Sequence, residues 1–298
     1  MKHAFLIMIH SNYNLVCKIL KKLDHPDNTI FIHVDAKSPF SKEEENLLLN
    51  SCQQSKVIMV DRYRVNWGGY SQVNIEMRML EFAAPGKYDY YHFLSGVDFP
   101  TKPIEHILEF FEKNAGYEFI HFCSDEFNKT QIHRYCRYRF FQEKCGRANN
   151  IYMFAERSSL LLQKILKVDR TKKYKDIQFK SGSNWVSITH EFVVYLLSKQ
   201  EQIKKMFSHT LCCDEVFMQT IAYNSPFQEK LFTPSDDDSI HANLRSVDWK
   251  RADPTTTSPY TYTINDYEEL INSSNLFCRK VTDSTPEGNA LIEKLEHL

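Results

Sequence analysis

Glycine is scarce in this chain, eight residues in 298, and none sits in a phosphate-cradling pattern. Without G-x-G-x-x-G or G-x-x-x-x-G-K, neither a dinucleotide fingerprint nor a P-loop is expected. G-x-S-x-G and H-E-x-x-H are missing as well, which removes the nucleophile elbow and the zinc-protease helix. There is no surplus of charge of either sign: 37 Lys and Arg face 38 Asp and Glu. No global basic field therefore draws nucleic acid. The eight cysteines are scattered without a C-x-x-C pair, and the vicinal Cys212-Cys213 suits neither a common disulfide nor a zinc site. Reduced thiols in a cytosolic protein are expected. The twelve histidines show no ligand spacing on a helix face. No apolar run approaches the roughly 20 residues of a spanning helix. The apolar stretch 4–9 runs into His10-Ser-Asn-Tyr rather than a small-residue cleavage site, so no secretory signal is expected.

What is plentiful is aromatic: 21 Phe, 16 Tyr and 3 Trp. Such rings stack on nucleobases and sugar faces, yet most are expected simply to fill a core. The first 120 residues alternate strand-like and helix-like segments. Strands are predicted at His3–His10, Thr29–Asp35, Lys56–Asp61, around Phe93, and at Tyr117–Phe122. Helices are predicted near Asn14–Leu23, Ser41–Leu49, Ser71–Ala83 and Ile104–Asn114. That alternation predicts an α/β fold with a mostly parallel, Rossmann-like sheet flanked by helices. Residues 125–147 read as a loop or irregular helix, 152–168 as a helix, 184–188 as a strand, and 190–200 and 214–223 as helices. The stretch 235–262 reads as largely irregular, and Pro286–Leu298 as a last helix. One domain is expected, in two halves, residues 1–122 and 123–298.

Chemistry concentrates at strand ends. Tyr88-Asp-Tyr-Tyr-His-Phe-Leu-Ser-Gly-Val-Asp-Phe-Pro100 is a strand running into a single acid, Asp98. In such sheets ligands gather at the carboxyl ends of the strands, and Gly96 is expected to let backbone approach a ligand. A metal-holding nucleotide-sugar transferase usually shows paired carboxylates there, and this strand end has one. Asp35 closes a neighbouring strand, where it suits a ribose hydroxyl, a uracil edge, or merely a turn or helix cap. Trp67-Gly68-Gly69 precedes a helix, and its backbone N–H groups suit a phosphate or sugar, or else form a turn with an anchoring Trp. Asp236-Asp237-Asp238 formally contains D-x-D but lies in a polar stretch and reads as a solvated loop. Asp214 and Glu215 are neighbours that cannot share a helix face. At most one is expected to point into a cleft, where a lone carboxylate suits a general base. Lys250-Arg251 and Arg279-Lys280 are surface charges by default, unless a diphosphate must be neutralised without metal. Arg134, Arg137 and Arg139, interleaved with Tyr135 and Tyr138, suit an acceptor lip or a solvated loop.

Seven segments then fall in a recognisable order. They are His33-Val-Asp35, Trp67-Gly-Gly-Tyr-Ser71, Leu94-Ser-Gly-Val-Asp-Phe-Pro100, Ser181-Gly-Ser-Asn-Trp185, Cys213-Asp-Glu215, Leu244-Arg-Ser-Val-Asp-Trp249 and Leu276-Phe-Cys-Arg-Lys280. Together the chain resembles glycosyltransferase family 14, the core-2/I-branching N-acetylglucosaminyltransferases and peptide xylosyltransferases. The resemblance implies a GT-A-type fold, a UDP-sugar donor carrying N-acetylglucosamine or a xylose-like sugar, inversion at the anomeric carbon, and no divalent metal or other cofactor. By the same resemblance Glu215 matches the catalytic base, Lys280 a cation on the diphosphate, and Trp249 an aromatic on the acceptor sugar. Asp35, Trp67, Gly68, Asp98 and Ser183 are expected on the donor side and Trp185 on the acceptor side, where Arg137 is added from the arginine cluster. Residues 1–122 are then expected to be the nucleotide-sugar-binding half and 123–298 the acceptor-binding and catalytic half. The family's second diphosphate cation would fall at Tyr260, so Arg251 or Arg279 is expected to stand in. Asn184 replaces an Asp of the xylosyltransferases. The acceptor is expected to be an oligosaccharide, a polysaccharide or a lipid-linked glycan. A soluble bacterial member is expected, working in the cytoplasm or at the inner membrane face, without nucleic acid. The competing readings are a metal-dependent GT-A transferase using Asp98 or residues 236–238, and a non-catalytic sugar- or nucleotide-binding homologue.

Overall fold

The computed structural model describes residues 1–146, 150–233, 241–256 and 258–298. Four parallel strands make the centre: β1 (His3–Ile9), β2 (Asn28–Val34), β3 (Lys56–Met59) and β4 (Tyr90–Ser95). The helices α1 (Tyr13–Lys22), α2 (Lys42–Leu49) and α3 (Ser71–Ala83) make the crossovers. The sheet order is β3-β2-β1-β4-β6, with β6 (Ser187–Thr189) running antiparallel to β4. The order reverses between β1 and β4, and the crevice outside the carboxyl ends of such a pair is where ligands bind.

β1 reads as an unbroken apolar run because both of its faces are covered. Phe5, Ile7 and Ile9 pack into one core with α1 and with α4 (Ile104–Lys113). Ala4 and Leu6 face a second core shared with α3. α2 begins as its sequence asks: Ser41 accepts from the Glu44 N–H, and the Glu44 carboxylate returns the bond to Ser41 N–H.

A second sheet was not visible in the sequence pattern. β5 (Asp98–Pro100), β7 (Arg245–Val247) and β8 (Phe277–Arg279) assemble in the order β5-β8-β7. Buried Arg245 ties this sheet to the first. Its guanidinium donates to Phe93 O at 3.1 Å, Val186 O at 2.9 Å and Ser187 Oγ at 2.9 Å. Val186 O also accepts Phe93 N–H at 2.9 Å, so the guanidinium adds a charged donor to a carbonyl that is already paired. β7 thus lies inside the stretch 235–262 expected to be largely irregular.

Other boundaries moved for identifiable reasons. The fifth strand expected at Tyr117–Phe122 is an extended segment with only two isolated bridges, Glu118 to Leu231 and Phe119 to Ser187. Its backbone partners change from one residue to the next, so no ladder forms. Residues 125–147 contain α5 (Asp125–Gln131) and α6 (Gln142–Cys145), followed by α7 (Ile151–Ile165). The helix expected at 190–200 ends early and is followed by another: α8 (His190–Ser198) and α9 (Gln200–Phe207). The helix α10 spans Phe217–Tyr223, and α11 (Tyr267–Asn272) and α12 (Pro286–Glu296) close the chain. All eight cysteines are free thiols. Among the described residues no helix is long and apolar enough to cross a membrane.

Candidate active site at the carboxyl edge of the sheet

Three loop segments converge around Glu215. A short 3-10 turn, Cys213–Glu215, precedes α10 instead of forming its first turn. Cys212, in the left-handed region at φ 47°, donates its N–H to Gly68 O at 2.9 Å. On the other side Gly182 N–H donates to Glu215 O at 2.9 Å. Gly182 admits no side chain, because a Cβ would collide with the carbonyl oxygen of His121. Backbone bonds thus lock the Trp67–Gly68 turn, the 181–185 segment and the acid into one unit.

The neighbouring acids then diverge, as i and i+1 must. The Glu215 side chain is 42 % exposed, and its carboxylate pairs with the Arg134 guanidinium. Asp214 points inward and accepts from Gln72 Nε2 at 2.8 Å. Burial, and then the Glu215 charge beside it, push the Asp214 carboxyl up to about 7. Glu76, one turn beyond Gln72 on α3, is pushed well above the usual range by its burial and by Asp214. Of the two, Glu215 is the acid that a substrate can reach. Arg134 belonged to the expected acceptor lip, but nothing in its spacing singled it out from Arg137 and Arg139. Leu211 N–H bonds to Arg134 O, and that contact brings the chosen arginine to the acid. Arg137 is half-buried, with its carbonyl accepting from Arg170, and Arg139 turns back to His133 O at 3.1 Å.

The second group sits at the end of β4. Asp98 is fully buried. It accepts from Ser95 N–H and from Arg279 Nη1 at 2.9 Å. Arg279 stacks on Trp185, 4.8 Å from the ring centroid, and also reaches Ser95 Oγ. The side chain of Asp98 therefore faces an arginine, not an open crevice. Trp185, expected on the acceptor side, packs on the guanidinium of Arg279, which was expected on the donor side. At Gly96 a Cβ would press on Ile9 and Val16 at 3.1 and 3.2 Å, so the missing side chain lets the turn after β4 sit close to β1 and α1. The two groups are near each other, since Gly182 is bonded to Glu215 and Trp185 lies three residues on, at most about 11 Å of chain.

The remaining expected residues fall into place around them. Asp35 takes the turn role, accepting Lys37 N–H at 2.9 Å and pairing with Lys37 Nζ at 3.6 Å. The N–H groups of Gly68 and Gly69 are already used. Gly68 N–H donates to Gln72 Oε1 at 2.5 Å, Gly69 N–H bonds to Asn66 O at 3.0 Å, and the Glu143 carboxylate caps Ser71 at the start of α3. An anion does occupy that helix N-terminus, but the protein supplies it. Trp67 keeps much of its ring exposed. Ser183 is half-buried, its Oγ accepting from Trp185 N–H at 3.2 Å. Arg251 spends its charge on Asp248, Asp266 and Glu269, whereas Arg279 pairs, among the described residues, with Asp98 alone. Lys280 follows Arg279 and is half-buried; its side chain makes no hydrogen bond or ion pair with the described residues. Trp249 stands well out at 62 % exposure. Among the described residues no group of three His, Cys, Asp or Glu is arranged to hold a metal ion. The acids at 236–238 lie outside the described residues.

A parallel-centred α/β sheet whose order reverses between β1 and β4 defines the fold class, and comparison of the sequence narrows it. The chain belongs to the Core-2/I-Branching enzyme family of glycosyltransferases, whose sequence profile matches residues 3–271. Similar curated proteins include rat "Xylosyltransferase 2", 25 % identical over 83 % of this chain and 26 % of its own length. Another is "Xylosyltransferase sqv-6" of Caenorhabditis briggsae, 24 % identical over 84 % of this chain and 29 % of its own. The chain thus spans about a quarter of the length of the curated relatives it matches. Among solved structures, mouse xyloside xylosyltransferase 1 aligns over 96 % of this chain and all of its own, at 11 % identity and a TM-score of 0.40.

Proposed function

We propose that this protein transfers a sugar, N-acetylglucosamine or a xylose-like residue, from a UDP-sugar to a hydroxyl of a glycan acceptor, with inversion and without a divalent metal. The observation that carries the reading is the backbone-locked turn presenting Glu215 beside Arg134, one short segment away from Arg279 on Trp185. In that arrangement Glu215 takes the proton of the acceptor hydroxyl. The oxygen attacks C1 of the sugar from the face opposite UDP, and the bond from C1 to the diphosphate oxygen breaks. Arg134 holds the Glu215 carboxylate in place until the acceptor arrives. Negative charge building on the departing diphosphate meets Arg279 and Lys280, and fixed cations of this kind often supply the largest catalytic term. Asp98 orients the first of them.

A screen of UDP release across nucleotide sugars, with and without EDTA, tests the reading. Release with at least one donor, unchanged by EDTA, is the expected result. Loss in EDTA with recovery on added manganese would make the enzyme metal-dependent. No release from any donor and acceptor pair would leave a binding homologue. The names of the relatives favour xylose, whereas Asn184, which donates to Glu76 Oε1 at 3.4 Å, departs from the xylosyltransferase Asp. The same screen separates the two donors.

A further inference from the structure

α7 is built inside out. Its polar residues Glu156 and Gln163 are buried, and they attach the helix to the protein. Glu156 accepts Phe141 N–H at 2.8 Å, while Gln163 accepts Tyr138 N–H at 2.8 Å and donates to Tyr138 O at 2.9 Å. Met153 and Leu160 are half-buried beside them, and the other large aliphatic residues and Phe154 face outward. Ile151, Phe154, Leu161, Leu162, Ile165 and the following Leu166 are between 56 and 77 % exposed. At 100° per residue the five within the helix fall in a stripe roughly 100° wide, opposite Glu156 and Gln163. A core-facing helix reverses this pattern. Soluble monomers rarely show such a contiguous face unless it binds something.

Charge indicates what that something is. Arg157 and Lys164, both exposed, run along one flank of the stripe. Lys144 lies over the Tyr152 ring at 5.3 Å, and Lys167, Lys172 and Lys173 follow the helix. Residues 144–175 hold nine Lys and Arg against two Asp and Glu, in a chain whose remainder holds 28 against 36. The only acid on α7, Glu156, is buried. A second copy of this face would set like-charged rims against each other. A lipid surface with anionic headgroups takes both features at once: acyl chains receive the apolar stripe and headgroups meet the basic flank.

The geometry points to α7 as a membrane-docking helix that lies flat in the headgroup region of an anionic bilayer. The helix is joined to the site, because Gln142 of α6, immediately before it, donates to Trp67 O at 3.1 Å. A docked molecule would therefore hold its crevice close to the lipid surface. The inference does not depend on the donor or the reaction.

Co-sedimentation of the full chain with vesicles tests it. The protein is expected to pellet with mixed phosphatidylglycerol and phosphatidylcholine vesicles, to release in high salt, and to stay in solution with phosphatidylcholine alone. Both Phe154→Ser/Ile165→Ser and Arg157→Gln/Lys164→Gln should weaken partitioning on the order of tenfold or more. All four positions are exposed, so circular dichroism should show native folds. Equal partitioning of wild type and both variants, or none by any of them, overturns the proposal. So does a concentration-dependent dimer that the apolar variant turns into a monomer, which would assign the face to a second copy.

Discussion

At the end of β4 and at the turn before α10, an acid and an arginine pair with opposite patterns of exposure. Asp98 has no exposed surface and Arg279 is 22 % exposed; Glu215 is 42 % exposed and Arg134 is 19 % exposed. In the first pair the acid is consumed and the arginine is offered. In the second the arginine is the more buried partner and the acid is offered. A carboxylate that is to take a proton must meet solvent or substrate, whereas one that orients a cation works best out of reach. Exposure, more than the presence of the ion pair, separates the two roles.

Substitution should break the symmetry between them. Glu215→Gln is expected to slow transfer on the order of a hundredfold or more, as for loss of a general base. Its stability should stay within about 0.5 kcal/mol of wild type, because the position is partly exposed. Steady-state UDP release with thermal denaturation reads both, and near-native turnover would remove Glu215 from the mechanism. Asp98→Asn should do the reverse. Stability should fall by about 2 kcal/mol, since charge-assisted bonds are weakened in a buried turn, while kcat changes much less than the KM for the donor. Loss of turnover at native stability and native KM would move the reacting acid to the β4 edge.

An effect graded with pH sharpens the contrast between Glu215 and its neighbour. Asp214 titrates near 7 in the fold, against an ordinary value of 3.8. Between those two values the folded chain keeps a proton that the unfolded chain has lost. This group's contribution therefore destabilises the fold progressively as pH rises through that window, by a few kcal/mol at most, and levels off above pH 7. Asp214→Asn removes that slope. Its stability relative to wild type, from denaturant titrations, should increase from pH 4 to pH 7 and then hold. A difference constant with pH would show that Asp214 is ionised throughout.

The two halves of the chain differ in how far they can be read. The alternation in residues 1–114 predicts β1 to β4 and α1 to α4 within a few residues, because β1, β2 and β4 are buried on both faces and α2 carries a local start signal at Ser41. Residues 123–298 carry weaker signals. β5, β7 and β8 are three residues long each, too short for a period to register, and they exist because Arg245 and one another hold them. The inverted α7 reads as an ordinary amphipathic helix until one sees which face is covered.

For the site, the sequence by itself determined the kinds of residue available and their order: a lone acid after a strand, a Cys-Asp-Glu turn, and an Arg-Lys pair near the end of the chain. Local chemistry also required Asp214 and Glu215 to part company, since adjacent residues cannot share a helix face. Which arginine meets which acid was decided by tertiary structure alone. Arg279 reaches Asp98 across 181 positions and Arg134 reaches Glu215 across 81. Partners that distant are set by strand register and loop closure, and no local pattern records them.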